Sequence, residues 1–97
     1  MAVADLRTLI TIFEAARTLV ARLDNDFLMS SWRGTQDAVE ELDQILSALR
    51  SGVVPPRENL SVLFAPTGPL QEVSMRSGWA DEFEALARQF DAATSPR

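Results

Sequence analysis

The stretch LRTLITIFEAARTLVARLDNDF, residues 6 to 27, decides the fold because its apolar side chains recur in alternating steps of three and four. This spacing places them along one stripe of an α-helix. The stripe comprises Leu6, Leu9, Phe13, Ala16, Val20, Leu23 and Phe27. The sequence therefore predicts a first amphipathic helix. The run Asp24-Asn25-Asp26 is either a turn that ends this helix or a polar rim that belongs to it.

The apolar arc of this first helix is wider than one stripe, because Ile10, Ile12 and Leu19 extend it. A helix that is apolar over a wide arc packs against more than one neighbour. We favour a central position within the monomer, where two other helices cover the arc. The alternative is that the extra width forms the seam of a homodimer.

Three further helices follow from the same periodicity. The second carries Val39, Leu42, Ile45, Leu46 and Leu49; we expect Thr35 as its N-cap, Arg50 in its last turn and Gly52 just beyond. A short third helix carries Leu60, Leu63 and Phe64 between Pro56 and Pro66. The last carries Trp79, Phe83, Leu86 and Phe90.

The segments between these helices are expected to be irregular. Val53 to Pro56 must be extended, because proline pushes its predecessor out of the helical region. The run LQEVSM, Leu70 to Met75, alternates well enough to be extended, although no partner strand is evident. Residues 92 to 97 should fray. The prediction is one mainly α domain over residues 1 to 97: a compact bundle of about four helices with a short extended or irregular segment before the last.

The residue types that are missing exclude most catalytic chemistry. The chain has no Cys, His, Lys or Tyr, so all nine positive side chains are Arg. Thiolate nucleophiles, Cys/His zinc sites, histidine acid-base chemistry and Schiff-base lysines are therefore excluded. A hydrolase that uses only paired carboxylates needs a pocket that a small helical core does not leave. We expect no enzyme and no cofactor.

The net charge and the hydropathy of the sequence limit the classes of binding partner. Fourteen acidic residues against nine arginines give a formal charge of -5, which opposes binding to nucleic acids and anionic lipid surfaces. The apolar N-terminal stretch is interrupted by Glu14 and Arg17, so it does not reach the roughly 20 apolar residues of a membrane span. Without a basic segment typical of a signal peptide, we expect a cytoplasmic protein.

The strongest charge feature is the group of acids that begins the second helix: Asp37, Glu40, Glu41 and Asp43. No arginine within that helix answers them before Arg50. Their simplest interpretation is a solvated face that suits the positive end of the helix dipole. The functional interpretation is a docking patch for a basic partner, and a metal site ranks below both.

Two tryptophans lie at helix boundaries. Trp32 and Arg33 precede the second helix, and these two residue types are enriched at binding hot spots. Trp32 is either an exposed anchor or a plug at the end of the bundle. For Trp79 we favour the plug, because its spacing to Phe83 is typical of a core.

Two resemblances arise at these residues. Trp32-Arg33-Gly34 looks like the WxG turn of small secreted helical-hairpin proteins exported by type VII systems. Those proteins continue into a long second helix, whereas Pro55 and Pro56 interrupt this one, and their tyrosine-containing export signal is absent. This resemblance is therefore set aside.

The second resemblance covers Leu63 to Asp91, LFAPTGPLQEVSMRSGW followed by ADEFEALARQFD. In its PTG and GW-x-x-EF elements this run resembles small bacterial proteins, some of which look like immunity proteins that neutralise a toxin. The resemblance implies a stoichiometric binder whose acidic surface covers a basic toxin site, and it carries no catalytic residues. The expected function is a non-catalytic interaction with another protein. The partner-binding residues would be Trp32, Arg33, Asp37, Glu40, Glu41 and Asp43.

Overall fold

In the computed structural model, residues 6–28, 30–66 and 68–94 are described, and they contain helices and no strand. Four helices of at least two turns pack into one globule, which confirms the predicted mainly α bundle. A one-turn helix and a 3-10 turn complete the described elements. In chain order they are α1 Leu6–Val20, α2 Thr35–Arg50, α3 Arg57–Ser61, the 3-10 turn Val62–Phe64, α4 Pro69–Ser77 and α5 Ala80–Thr94.

Helix α1 is the central helix of the bundle and packs against both α2 and α5. Ile12 and Leu19 are buried, and Ile10 is half-buried against the core. The wide apolar arc is therefore covered within the monomer, as favoured from the sequence. No helix in the described ranges has the length and apolarity to cross a bilayer.

The end of α1 at Val20 is earlier than the apolar stripe suggests. Leu23 is fully exposed, whereas Phe27 packs against the core from the following loop. The Asn25 side-chain amide donates to the carbonyl oxygen of Leu19 at 2.8 Å and so satisfies one of the last carbonyls of the helix. Asp24-Asn25-Asp26 thus lies in the loop and is not a rim of α1.

Helix α2 begins one residue away from the expected cap. Gly34 is the N-cap and Thr35 is already helical, because the Gly34 carbonyl accepts the first backbone bond, from Ala38. The expectation for the other end is confirmed. Gly52 adopts the left-handed conformation, and the Val53 N–H donates to the Ala48 carbonyl at 2.9 Å, as in a Schellman motif.

The segment before the last helix is the main correction to the prediction. Leu70 to Met75 belongs to α4 and is not extended. Pro69 occupies the first turn, where its missing N–H costs nothing, and left-handed Gly78 ends the helix. Leu70 and Val73 are both buried and lie three residues apart, which is the spacing of a helix and not the alternation of a strand. Met75, which suggested alternation, is exposed.

The core is closed by aromatic side chains from three elements. The ring of Phe90 stacks on that of Phe64 with 4.7 Å between centroids and meets Phe13 edge to face at 6.3 Å. The predicted face of the last helix is buried, including Trp79, which confirms its role as a plug. Helix α5 continues through Thr94, past the point where we expected fraying to begin, and residues 95–97 lie outside the described ranges.

Candidate interaction surface

Five of the six expected partner-binding residues lie together. Together with Gln44, these five residues line one shallow depression of about 300 Å³, which we call the acidic groove: Trp32, Arg33, Asp37, Glu40 and Glu41. The four α2 residues follow the spacing i, i+3, i+4, i+7, which places them on one face of the helix. The loop before α2 brings Trp32 and Arg33 against that face. Helical periodicity and the position of the loop together build this groove.

Asp43 is the expected residue that lies elsewhere. It faces α1, where its carboxylate accepts from the Arg17 guanidinium. Beside this pair, Arg50 donates to Glu14 at 2.7 Å. These side chains and Thr18 line a separate depression of about 420 Å³, the ion-pair groove. The hydrogen bond from Arg17 lowers the pKa of Asp43, so this carboxyl group stays ionised.

Asp37 is also paired, although it lies in the acidic groove. Its Oδ2 accepts from the Arg33 Nε at 2.9 Å and from the Arg33 backbone N–H at 3.1 Å. These bonds lower the pKa of Asp37, and the pKa of Arg33 is raised by the same contact. The Arg33 side chain remains 90% exposed. The guanidinium is therefore fixed at one end and accessible to a partner.

No arginine within α2 pairs with these acids, as the sequence indicated, but Asp37 and Asp43 are paired with arginines from outside the helix. Their partners come from the loop before α2 and from α1, which the spacing within α2 cannot show. Glu40 and Glu41 carry the remaining charge. Since three carboxylates meet one guanidinium in the acidic groove, the groove is negative on balance.

Trp32 is the floor of this surface and not an exposed anchor, since only 5% of the residue is accessible. Its indole N–H donates to Glu41 Oε1 at 3.1 Å. A buried indole requires such an acceptor, so Glu41 both carries charge and holds the ring in place. Glu40 accepts from the Gln36 side chain at 3.1 Å and is exposed. Of the two interpretations left open for Trp32, the buried plug is correct.

A second depression adjoins the first, and the sequence did not point to it. This loop groove, of about 600 Å³, is lined by Asp26, Phe27, Leu28, Ser30, Trp32 and Arg33. It shares Trp32 and Arg33 with the acidic groove. Leu28 is 76% exposed, and Phe27 is half-buried. The signal that could have found it is Leu28, an apolar residue that lies off the apolar stripe ending at Phe27 and follows a polar run.

The carboxylates of the described residues are spread over several surface depressions. They include no group of three or more that could hold a metal ion. Glu14 and Asp43 come from different helices and line one open groove, but each accepts a hydrogen bond from a guanidinium. The hydrogen bond from Arg17 lowers the pKa of Asp43 and favours its charged form, which makes this carboxyl group a poor general acid.

Comparison of the chain with protein-family models, with curated proteins and with solved structures found no match. The resemblance of residues 63 to 91 to immunity-type proteins therefore stays an expectation.

Proposed function

We propose that this chain is a non-catalytic protein-interaction domain that binds a basic partner protein at the acidic groove. Its most concrete form is a bacterial immunity or inhibitor protein that covers a basic site on a toxin. The supporting observation is the convergence of Trp32, Arg33, Asp37, Glu40 and Glu41 on one groove with an excess of negative charge. The Arg17–Asp43 pair lies outside this binding surface and joins α1 to α2.

The acids act mainly on the rate of association. A protein of formal charge -5 attracts a cationic partner over about 8–10 Å at physiological salt, and the groove directs that attraction to one face. Complementary charge also disfavours acidic or neutral competitors. Arg33 supplies an exposed planar guanidinium next to the acids, and the buried Trp32 keeps the floor rigid.

The experiment starts from a partner protein captured from the source organism and then purified. The double variant Glu40→Lys/Glu41→Gln, which keeps an acceptor for the Trp32 indole, should slow its association at low salt by about tenfold or more, and the difference should shrink as salt is added. The matched control is Glu82→Lys/Glu84→Gln, which makes the same charge change on exposed positions of α5. Equal association rates for the two double variants would show that the acidic groove does not attract the partner.

The alternative of a homodimer or adaptor that uses the apolar face of α1 gains no support from the packing. That alternative required Ile10, Ile12 and Leu19 to be available to a second molecule. Ile12 and Leu19 are buried in the monomer, and Ile10 packs against its core. We therefore propose a heterotypic partner.

A further inference from the structure

We propose that the loop groove and the acidic groove together bind one segment of the partner, in which a large apolar side chain lies next to arginine or lysine residues. This inference rests on the proposed function and specifies the chemistry of its partner. The apolar side chain would occupy the loop groove against Phe27 and Leu28. The basic residues would reach Glu40 and Glu41. Trp32 and Arg33 form the boundary that both halves share.

The apolar half of this surface is open to solvent. Leu28 is 76% exposed although Phe27 beside it packs against the core. Together with the edge of Trp32, they give a depression of about 600 Å³, which is large enough for an apolar side chain. Covering Leu28 removes apolar surface from water, which is favourable by about 25 cal/mol per Å².

The loop groove and the acidic groove differ in charge, and this difference indicates which chemical groups a bound segment presents to each. In the loop groove, Asp26 accepts from Arg76 at 3.1 Å and from the Leu28 N–H at 2.9 Å. The charge of Asp26 is thus compensated by an arginine of α4. In the acidic groove, Arg33 answers Asp37, which leaves Glu40 and Glu41 to attract cations. A complementary segment is therefore apolar at one end and basic at the other.

The same charges argue against other occupants. A nucleic acid or an anionic lipid surface would place phosphates next to Glu40 and Glu41, which is unfavourable. A second copy of this chain, related by a twofold axis through this face, would bring the acidic groove near its own copy. A basic segment of another protein meets neither penalty.

The loop that carries the apolar half is held in place before any partner arrives. The Asp26 N–H donates to the Ser77 hydroxyl at 2.8 Å, and the Ser30 N–H donates to the Phe27 carbonyl at 3.0 Å. On the other side, the bond from Trp32 to Glu41 ties the loop to α2. Each of these bonds is already formed before binding, which reduces the conformational entropy that the loop loses when it binds.

The test uses a random peptide library displayed on phage and panned against the full chain at physiological salt. We expect the enriched sequences to pair Leu, Phe, Met or Trp with Arg or Lys within a few residues. A synthetic peptide of the strongest clone is then titrated by calorimetry. Leu28→Ser should weaken its binding by about tenfold, since the apolar contact is lost. Glu40→Gln/Glu41→Gln should weaken it by a similar factor.

The variants are chosen so that the fold is kept. Leu28 is largely exposed, and Gln at position 41 retains an oxygen that can accept the Trp32 indole N–H. The controls are Val62→Ser, at another exposed apolar position, and Glu82→Gln/Glu84→Gln on α5. Neither control lines either groove, and both should bind within about twofold of the unmodified chain. Thermal unfolding of each variant verifies that it is folded.

The outcomes separate this inference from the proposed function. If the enriched peptides are basic without an apolar residue, or if Leu28→Ser binds as tightly as the unmodified chain, the two-part segment is overturned. The proposed function then survives provided that Glu40→Gln/Glu41→Gln still weakens binding. If no basic peptide is enriched, or if neither groove variant differs from its control, both are overturned.

Discussion

The indole N–H of Trp79 donates to Oδ1 of Asn25 at 2.7 Å, although 54 residues separate them in the chain. The other end of the same amide donates to the Leu19 carbonyl at 2.8 Å. One side chain therefore joins the last turn of α1 to the first residue before α5. This contact fixes the start of the loop that carries the apolar half of the proposed binding surface.

Replacing Asn25 should destabilise the fold more than its exposure suggests. Asn25→Ala leaves the buried Trp79 indole N–H without its acceptor, so we expect the free energy of unfolding to fall by about 1–3 kcal/mol in urea denaturation. The control is Asp24→Ala at the neighbouring exposed position, which should change it by less than about 0.5 kcal/mol. Equal effects of the two substitutions would show that the hydrogen bond does not stabilise the fold.

Replacing each of three glycines by alanine should destabilise the fold to a different degree. Gly78 has a φ of 84° with open space around a Cβ, so Gly78→Ala should cost about 1 kcal/mol from backbone strain. At Gly68 a Cβ would lie 2.3 Å from the Val62 carbonyl oxygen, and Gly68→Ala should cost about 3 kcal/mol. Gly34 has extended backbone and open space, so Gly34→Ala should be nearly neutral. Thermal denaturation gives the order, and a different order contradicts this structure around α4.

The helices that could be predicted from sequence are those with long periodic faces. The faces of α1, α2 and α5 were found because three or more buried residues repeat at helical spacing. Helix α4 was missed because its nine residues show only Leu70 and Val73 as apolar signals, with exposed Met75 at the wrong period. The ends of α4 are set by Pro69 at one end and left-handed Gly78 at the other. Both residues are visible in the sequence, but apolar periodicity does not register them.

Acid should weaken the fold through the ion pairs. The pKa values of Asp37 and Asp43 are lowered in the folded chain by hydrogen bonds from Arg33 and Arg17. A lowered folded-state pKa gives stability that is complete above the unfolded value of about 3.9 and is lost as the pH falls through the lower folded value. We therefore expect the free energy of unfolding to decrease from about pH 5 downwards.

A double-mutant cycle assigns part of that pH dependence to one pair. Asp43→Asn should flatten the acid limb measured by urea unfolding at several pH values. In an Arg17→Gln background the same substitution should flatten it much less, because the partner is already absent. Equal flattening in both backgrounds would show that the pair is not the source.

The chain should sediment as a monomer of 10.7 kDa at micromolar concentration. The reason is that the apolar arc of α1 is covered by α2 and α5, so that this face of α1 is not available to a second copy. Sedimentation velocity over a range of concentrations measures this directly. A stable dimer that is disrupted by Ile10→Gln would restore the homodimer interpretation.

The candidate site was predictable in part. The i, i+3, i+4 spacing of Asp37, Glu40 and Glu41 places these three acids on one face of α2, and the sequence identified them. It could not show that Asp43 turns to α1, because the partner Arg17 lies 26 residues earlier in the chain. Nor could it show the exposure of Leu28, which depends on how the loop is tied to α4.

The most direct test of the proposed binding surface is to map which residues of the chain a basic partner contacts. The chain has two tryptophans, so a ¹H–¹⁵N spectrum contains two indole N–H signals, and Trp32 lies in the groove while Trp79 is buried. On titration with the partner or a selected peptide, the Trp32 indole and the amides around Glu40 and Glu41 should shift, and the Trp79 indole should not. Shifts confined to α5 or to the ion-pair groove would contradict the account.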